Sequence, residues 1–286
     1  MTYSTSPEFF WNVISLSKDD EMRRCDGLCV GFEEGRWRSE EFARHVIEWI
    51  PEFVLPYDEY KKISGSTMIM ALIKSSKLVY ESEKYMKRGE FGEVFLHMAI
   101  RQLYSTVPLI SKLYWKSGLN ETVKGFDSVH VVKNKNDELE LWLGEAKFYS
   151  DISSAMREAI QSIKDHLNAK YLRNEFILIS NKIDDGSPYA AEAKKLISHN
   201  TSLDKIFKYI CIPVFITYES NLFKNHCSES KEYIDAFKCE LTKNKTLFLQ
   251  LSQDIEFKIP VFFFPLKEKK ELIDTLHRKI KALQGI

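Results

Sequence analysis

Residues 125–148 read GFDSVHVVKNKNDELELWLGEAKF, and the fold follows from how this stretch pairs with itself. Two apolar runs, 123–132 and 139–148, flank the polar turn Asn134-Lys135-Asn136-Asp137, which is the pattern of a hairpin. A pairing centred on residue 136 makes partner numbers sum to 272 and sets Asp127 directly opposite Glu145. Directly opposite side chains share a face, with Cβ atoms about 5 Å apart. Glu145 and Lys147, two apart on one strand, also share a face. Two carboxylates and an ammonium therefore converge at one end of an apolar hairpin. Such a cluster suits a divalent cation held against a phosphodiester.

Spacing alone decides nothing, because Glu-x-Lys recurs six times in this lysine-rich chain. Only Glu145/Lys147 has an apolar strand leading in, a preceding strand that carries an Asp, and a following helix. Glu256/Lys258 heads the run 259–264 but has no paired Asp. The competing structural reading of the trio is a surface ion pair contributing under about 1 kcal/mol. That reading requires neither the flanking glycines nor the hairpin register.

The chain of 286 residues is 44% hydrophobic and 29% charged, ordinary values for a globular protein with ample core. It has no run of eighteen apolar residues, so no membrane span is expected. Residues 1–8 lack the layout of a signal peptide, which makes the cytoplasm the expected location. Cys25, Cys29, Cys211, Cys227 and Cys239 form an odd, scattered set and read as small hydrophobes rather than a disulfide framework or a zinc site. Formal net charge is zero, so binding to nucleic acid requires lysines concentrated locally or a basic surface borrowed from a partner. The cations of 267–281 read better as the solvated face of a helix with Leu272, Ile273, Leu276 and Ile280 inward.

Three segments are expected. Residues 1–75 form a mixed α/β segment, with a strand at 27–32 and a helix at 39–50 that is capped by Ser39 and interrupted by Pro51 and Pro56. Residues 76–182 form the core: a helix at 90–104, strands at 107–115, 123–132 and 139–148, a helix capped by Asp151 or Ser153, and a buried strand at 176–180. Residues 183–286 form an α/β extension with a helix at 189–198, a strand at 209–218, a helix-prone stretch at 228–250, a strand at 259–264 and a terminal helix. The fold class is α/β, an αβββαβ core around a central mixed sheet with N- and C-terminal elaborations.

Asp127 and Glu145 are the expected metal ligands, and the carbonyl of Ala146 between the functional residues adds a neutral one. Lys147 holds the attacking water and offsets charge on the pentacovalent state. Glu93, near Glu90 and His97 on one helical face, is the accessory acid through water, although first-turn acids also simply suit the helix dipole. His97 reads as a hydrogen-bonded structural histidine. Lys112 and Gln161 are candidates for contact with the substrate backbone. No Gly-x-Ser-x-Gly and no Walker A loop is present.

Helix–strand–strand–strand–helix–strand, with Asp127 on the second strand and Glu145-Ala146-Lys147 on the third, resembles the PD-(D/E)XK, restriction-endonuclease-like superfamily. Phe126 stands where that name has a proline. Longer strings are similar to the HamA family: Cys29-Val30-Gly31-Phe32, Gly35-Arg36-Trp37-Arg38, Gly89-Glu90-Phe91-Gly92-Glu93, Lys124-Gly125-Phe126-Asp127-Ser128-Val129-His130 and Leu141-Trp142-Leu143-Gly144-Glu145-Ala146-Lys147-Phe148-Tyr149. HamA proteins are nuclease subunits of the bacterial Hachiman anti-phage system. The resemblance implies a DNA nuclease dependent on Mg²⁺, with Mn²⁺ as the alternative, paired with a HamB-like helicase/ATPase subunit. Balanced charge and the missing motor motif agree with such a partner. The competing readings are a catalytically idle module that anchors a helicase, and a metal-dependent RNase.

Overall fold

The computed structural model describes residues 11–16, 20–79, 89–111 and 125–285. The chain enters through strands β1 (Asn12–Ser15) and β2 (Cys25–Cys29) and the small hairpin β3 (Phe32–Glu33) and β4 (Arg36–Trp37). Helices α1 (Ser39–Val54), α2 (Tyr57–Tyr60), α3 (Met68–Val79) and α4 (Glu90–Tyr104) follow, then β5 (Val107–Pro108), β6 (Ser128–Lys133) and β7 (Leu139–Phe148). Next come α5 (Ile152–His166), α6 (Ala169–Lys182), α7 (Ala190–Leu196), α8 (Leu203–Phe207), β8 (Ile210–Cys211) and β9 (Val214–Glu219). The last elements are α9 (Leu222–Asn225), α10 (Lys231–Leu251), β10 (Val261–Leu266) and α11 (Lys269–Gln284).

One mixed sheet draws on all three sequence segments, in the order β1-β2-β10-β9-β7-β6-β5, with β8 also pairing β7. Its centre (β2, β10, β9, β7) is parallel, and β1, β6 and β5 are antiparallel to their neighbours. Strand alternation sorts the core into two layers. Leu141, Leu143, Val214, Ile216, Val261 and Phe263 pack on the α5, α6 and α10 side. Trp142, Phe215, Phe262 and Phe264 pack on the α1, α4 and α11 side. Both faces are covered by helices, as a parallel centre requires. Among the described residues no helix is long and apolar enough to cross a membrane.

The hairpin pairs in the expected register, from Ser128↔Gly144 to Lys133↔Leu139. Helix α4 packs against β7 where Gly144 has no side chain: a Cβ there would lie 2.2 Å from Ser128 Oγ and 2.7 Å from Leu96 Cδ2.

Several local expectations are corrected. The run 176–180 is not a strand but lies in α6. Leu172, Glu175, Phe176 and Ile179 are buried while Ile177 and Leu178 are half exposed, which is helical periodicity. The strand beside β7 is instead β9, with Glu145↔Val214 to Phe148↔Thr217 in parallel register. Pro51 does not interrupt α1, which runs on to Val54. Its carbonyl still accepts the Leu55 N–H at 3.0 Å, and burial of Phe53 and Val54 offsets the one bond its ring forfeits. Ser39 is the first helical residue rather than the cap, and its hydroxyl donates to Glu271 at 3.0 Å. The run 209–218 splits at Pro213 into β8 and β9, both paired with β7. The described part of 107–115 is a strand only at Val107–Pro108, and Lys112 lies outside the described residues.

Replacing Gly144 by Val should overpack the α4–β7 contact and lower stability by about 1–3 kcal/mol. Thermal unfolding of the variant checks this, and an unchanged midpoint would show that the two elements are not in close contact.

Candidate active site

Odd-numbered residues of β7 face α5, so Glu145 and Lys147 leave the sheet on the side of Leu141 and Leu143. Asp127 is one residue beyond the β6 ladder. Its N–H donates to the Gly144 carbonyl, and its Oδ2 accepts the Ala146 N–H, both at 2.8 Å. The Asp127 side chain is thereby tied to the strand that carries Glu145. Gly125, just before it, has φ +140°, and a Cβ there would lie 2.0 Å from Glu175 Oε1 on α6. Glycine is required at this turn.

Glu145, Asp127, Lys147, Ala146 and Glu93 line one cleft of about 430 Å³, joined by Ser162, Asp165, His166 and Tyr171. The Lys147 ammonium sits 2.7 Å from Glu145 Oε1, and His166 Nδ1 lies 3.7 Å from Oε2. Glu145 is 2% exposed, and its Oε2 accepts no hydrogen bond among the described residues. Burial pushes its carboxyl up to about 7, and the neighbouring Asp127 charge adds to the rise. Lys147 and Ser162 offset only part of it. Burial presses Lys147 down, but the Glu145 and Asp127 carboxylates outweigh this and raise it overall.

Placement differs among the other candidates. Glu93 is on α4, which packs against the opposite sheet face, and it reaches the cleft at the rim. Gln161 is exposed on α5 and donates to Asp165 at 2.8 Å; it does not line the cleft. Lys258 of the rival Glu256/Lys258 pair sits 3.0 Å from Glu140 and over the Trp142 ring, a structural role. Cys25 and Cys29 are buried, and the Cys29 thiol is 2.8 Å from the Tyr233 hydroxyl. Ser162 and His166 were not anticipated. They stand four apart on α5, three positions after the inward Ala159 and Ile163, so helical spacing alone aims them at the same cleft. His166 stacks on Tyr171 at 4.9 Å and meets Phe126 edge-on at 4.8 Å.

A buried carboxylate with an unsatisfied oxygen, beside a half-buried one that repels it, forms a donor set that a cation would complete. All donors are hard oxygens, which fits Mg²⁺ or Mn²⁺ rather than a thiolate-seeking metal. Among the described residues no group of three or more His, Cys, Asp or Glu side chains could hold a metal by itself. The fit is therefore to a cation that keeps much of its shell as water or phosphate oxygen, the habit of Mg²⁺.

Behind the cleft, α4 and β6 are locked by a buried polar chain. Glu52 Oε2 is 3.0 Å from His97 Nε2 and 2.9 Å from Arg101 Nε, and Glu52 Oε1 is 3.0 Å from Arg101 Nη2. His97 Nδ1 is 3.2 Å from His130 Nε2, whose Nδ1 is 2.9 Å from Thr106 Oγ1. One assignment satisfies every atom with both rings neutral: Thr106 donates to His130, His130 to His97, and His97 to Glu52. Burial holds both histidines below their ordinary value. Burial pushes Glu52 up, but His97 and Arg101 outweigh it and hold the carboxyl at about 2. At neutral pH, with His97 uncharged, Arg101 is the charge partner.

The site and fold together define an α/β protein with an acid–acid–lysine cluster at the end of its central hairpin. The HamA family model matches residues 7–280, and the chain belongs to the HamA family. Anti-bacteriophage protein A of Escherichia coli (strain K12) is 23% identical over 263 residues, covering 87% of this chain and 46% of that protein. Hachiman protein HamA of Bacillus cereus is 26% identical over 134 residues, covering 45% of this chain and 48% of that protein. In those alignments the match takes in about half the length of each relative.

Two pH effects follow. His97 and His130 have folded values below the unfolded one, so the unfolded chain takes up protons first and stability falls as pH drops below about 6.5. Glu52 adds stability that is present above about 4.5 and lost as pH falls toward 2. Glu145 runs the other way: its folded value is raised, so its contribution is present at low pH and lost as pH rises through about 7. Glu145→Gln should thus stabilise the metal-free protein at pH 8 by on the order of 2 kcal/mol, with little effect at pH 5. Denaturant melts at both pH values check this, and equal effects at both would contradict it.

Proposed function

We propose that this protein is a divalent-metal-dependent deoxyribonuclease that acts in anti-phage defence. The observation that carries the reading is the burial of Glu145 against Asp127 with the Lys147 ammonium 2.7 Å away, inside an open cleft. An ion pair kept only for stability gains nothing from a second carboxylate that opposes it. A cation-binding site does.

Asp127 and Glu145 would hold the cation, with Glu93 at the rim reaching it through water. When bound, the cation neutralises phosphate charge and lowers the pKa of a bound water. Asp127 is held by the Ala146 amide, which fixes one carboxylate oxygen beside Glu145. Lys147, anchored on Glu145, presents its ammonium toward the phosphate and offsets charge that builds during displacement. His166, at Glu145 Oε2, limits how that carboxylate turns.

The defence role follows from family membership and the relatives' names, and the helicase partner is what the resemblance to HamA implies. A HamB-like helicase would supply the strand separation for which this sequence has no Walker A motif. A neutral chain that cuts DNA benefits from a partner that decides when DNA reaches the cleft.

Purified protein, with and without the helicase, is incubated with plasmid DNA or RNA plus Mg²⁺, Mn²⁺ or EDTA. DNA cleavage that EDTA stops is expected. Glu145→Gln and Lys147→Ala should each lower it by about 10²–10³-fold while leaving circular dichroism unchanged. Cleavage of RNA alone would replace the substrate class, and cleavage retained by both variants would reject the site.

A further inference from the structure

A second pocket, of about 220 Å³, opens between the β3–β4 hairpin and the segment around α9. Its floor is aromatic: Trp37 and Phe223 lie 5.6 Å apart between ring centroids. Its rim carries Arg36, Lys224 and Lys267, and among the described residues that line it none is acidic. Counter-charges stand beside it: Glu271, exposed to solvent, lies 3.5 Å from Lys267, and Glu33 is paired with Arg36 across the β3–β4 hairpin. In a chain whose formal charge sums to zero, three cations around an aromatic floor are a local concentration of positive charge.

The topology connects this pocket to the candidate active site. Strands β2, β10, β9 and β7 are parallel neighbours, so their carboxyl ends lie along one sheet edge. Ligands of open α/β sheets bind along that edge. Arg36 and Trp37 follow β2, Phe223 and Lys224 follow β9, and Lys267 follows β10. Glu145 and Lys147 stand at the end of β7. Between the two sites, Lys269 donates to the Phe148 carbonyl at 2.5 Å and lies over the Phe148 and Tyr149 rings, both of which line the active-site cleft.

We propose that this pocket is a nucleotide-binding subsite: one base stacks on the half-buried Phe223, beside the buried Trp37 whose ring is tilted 57° from it, and its phosphate is held by Arg36 and Lys224. Stacking on an aromatic floor beside cations is how strands are held without sequence preference. The volume is below the ~300–1,000 Å³ of sites for drug-sized ligands, so it takes a single nucleotide unit. That unit is either a free nucleotide or one residue of a strand that runs on to the cleft. The choice of a nucleotide over another aromatic anion rests on the nuclease reading above.

Cys227 lines the pocket and is exposed, whereas Cys25, Cys29 and Cys211 are buried. In a Cys239→Ser background its alkylation rate therefore reports occupancy without any activity assay. The rate is measured in EDTA with thymidine monophosphate, a short thymidine oligonucleotide, or inorganic phosphate. Several-fold slowing by the oligonucleotide is expected, and Arg36→Ser with Lys224→Ser should abolish it; both side chains are exposed, so the fold is kept. The double variant should also flatten the log–log salt slope of oligonucleotide binding by about 0.7, the share of one phosphate. Equal protection by the monophosphate assigns a free-nucleotide site, and protection by the oligonucleotide alone assigns a strand subsite. Absence of protection by either, or equal protection by inorganic phosphate, overturns the proposal. Glu145→Gln separates the two readings: it should lose cleavage and keep Cys227 protection.

Discussion

The site depends on a carboxylate kept out of water beside another carboxylate. Glu145 is forced into that position by the hairpin register, because β7 has only two faces and its odd positions look toward α5. A slip of one residue would turn Glu145 and Lys147 toward α4 and away from α5. The apolar residues of the same strand prevent this, since Leu141 and Leu143 would lose their core with it. The repulsion between Glu145 and Asp127 is thus maintained by the packing of the whole hairpin. Strain of this kind survives only where the surroundings over-determine it.

Among the described residues those surroundings are tied together by hydrogen bonds and packing. Asp127 is clamped by the Ala146 amide, and α5 brings Ser162 and His166 over the carboxylates. The Glu52–His97–His130–Thr106 chain ties α1, α4 and β6 together behind them. Each buried polar atom in that chain has a partner, so it specifies one packing of α4 on the sheet rather than several. The proposed cation site would need such support. The same carboxyl edge of the sheet then carries the aromatic and basic pocket beyond Lys269, which is the proposed nucleotide subsite.

Much of this was legible in the sequence, for reasons that differ by element. The bounds of β7 and the 272 register could be read because apolar alternation and a polar turn both constrain a hairpin. Helix α4 was legible from its spacing. The run 176–180 was misread because five consecutive residues with mostly apolar side chains fit a buried strand as well as a helix. Only the longer spacing of Leu172, Phe176, Ile179 and Ile183 separates the two. Pro51 was overrated as a breaker because the cost of one lost bond was weighed without the burial of the residues after it. The polar chain behind the cleft was invisible: Glu52 and His97 are 45 residues apart, and no local pattern links them. Glu93, expected as an accessory acid, lines the cleft from a helix on the sheet face opposite Glu145, which sequence spacing could not show.

The most direct test is the titration of the Glu145 carboxyl itself, followed by carbon-13 NMR on glutamate-labelled protein with Glu145→Gln to assign the signal. Without metal, the resonance should titrate near 7, and Asp127→Asn should move it downward. Added Mg²⁺ should shift the resonance to that of the ionised group at lower pH. A Glu145 that titrates at the ordinary value of about 4.5, unmoved by Asp127→Asn or by Mg²⁺, would contradict the account.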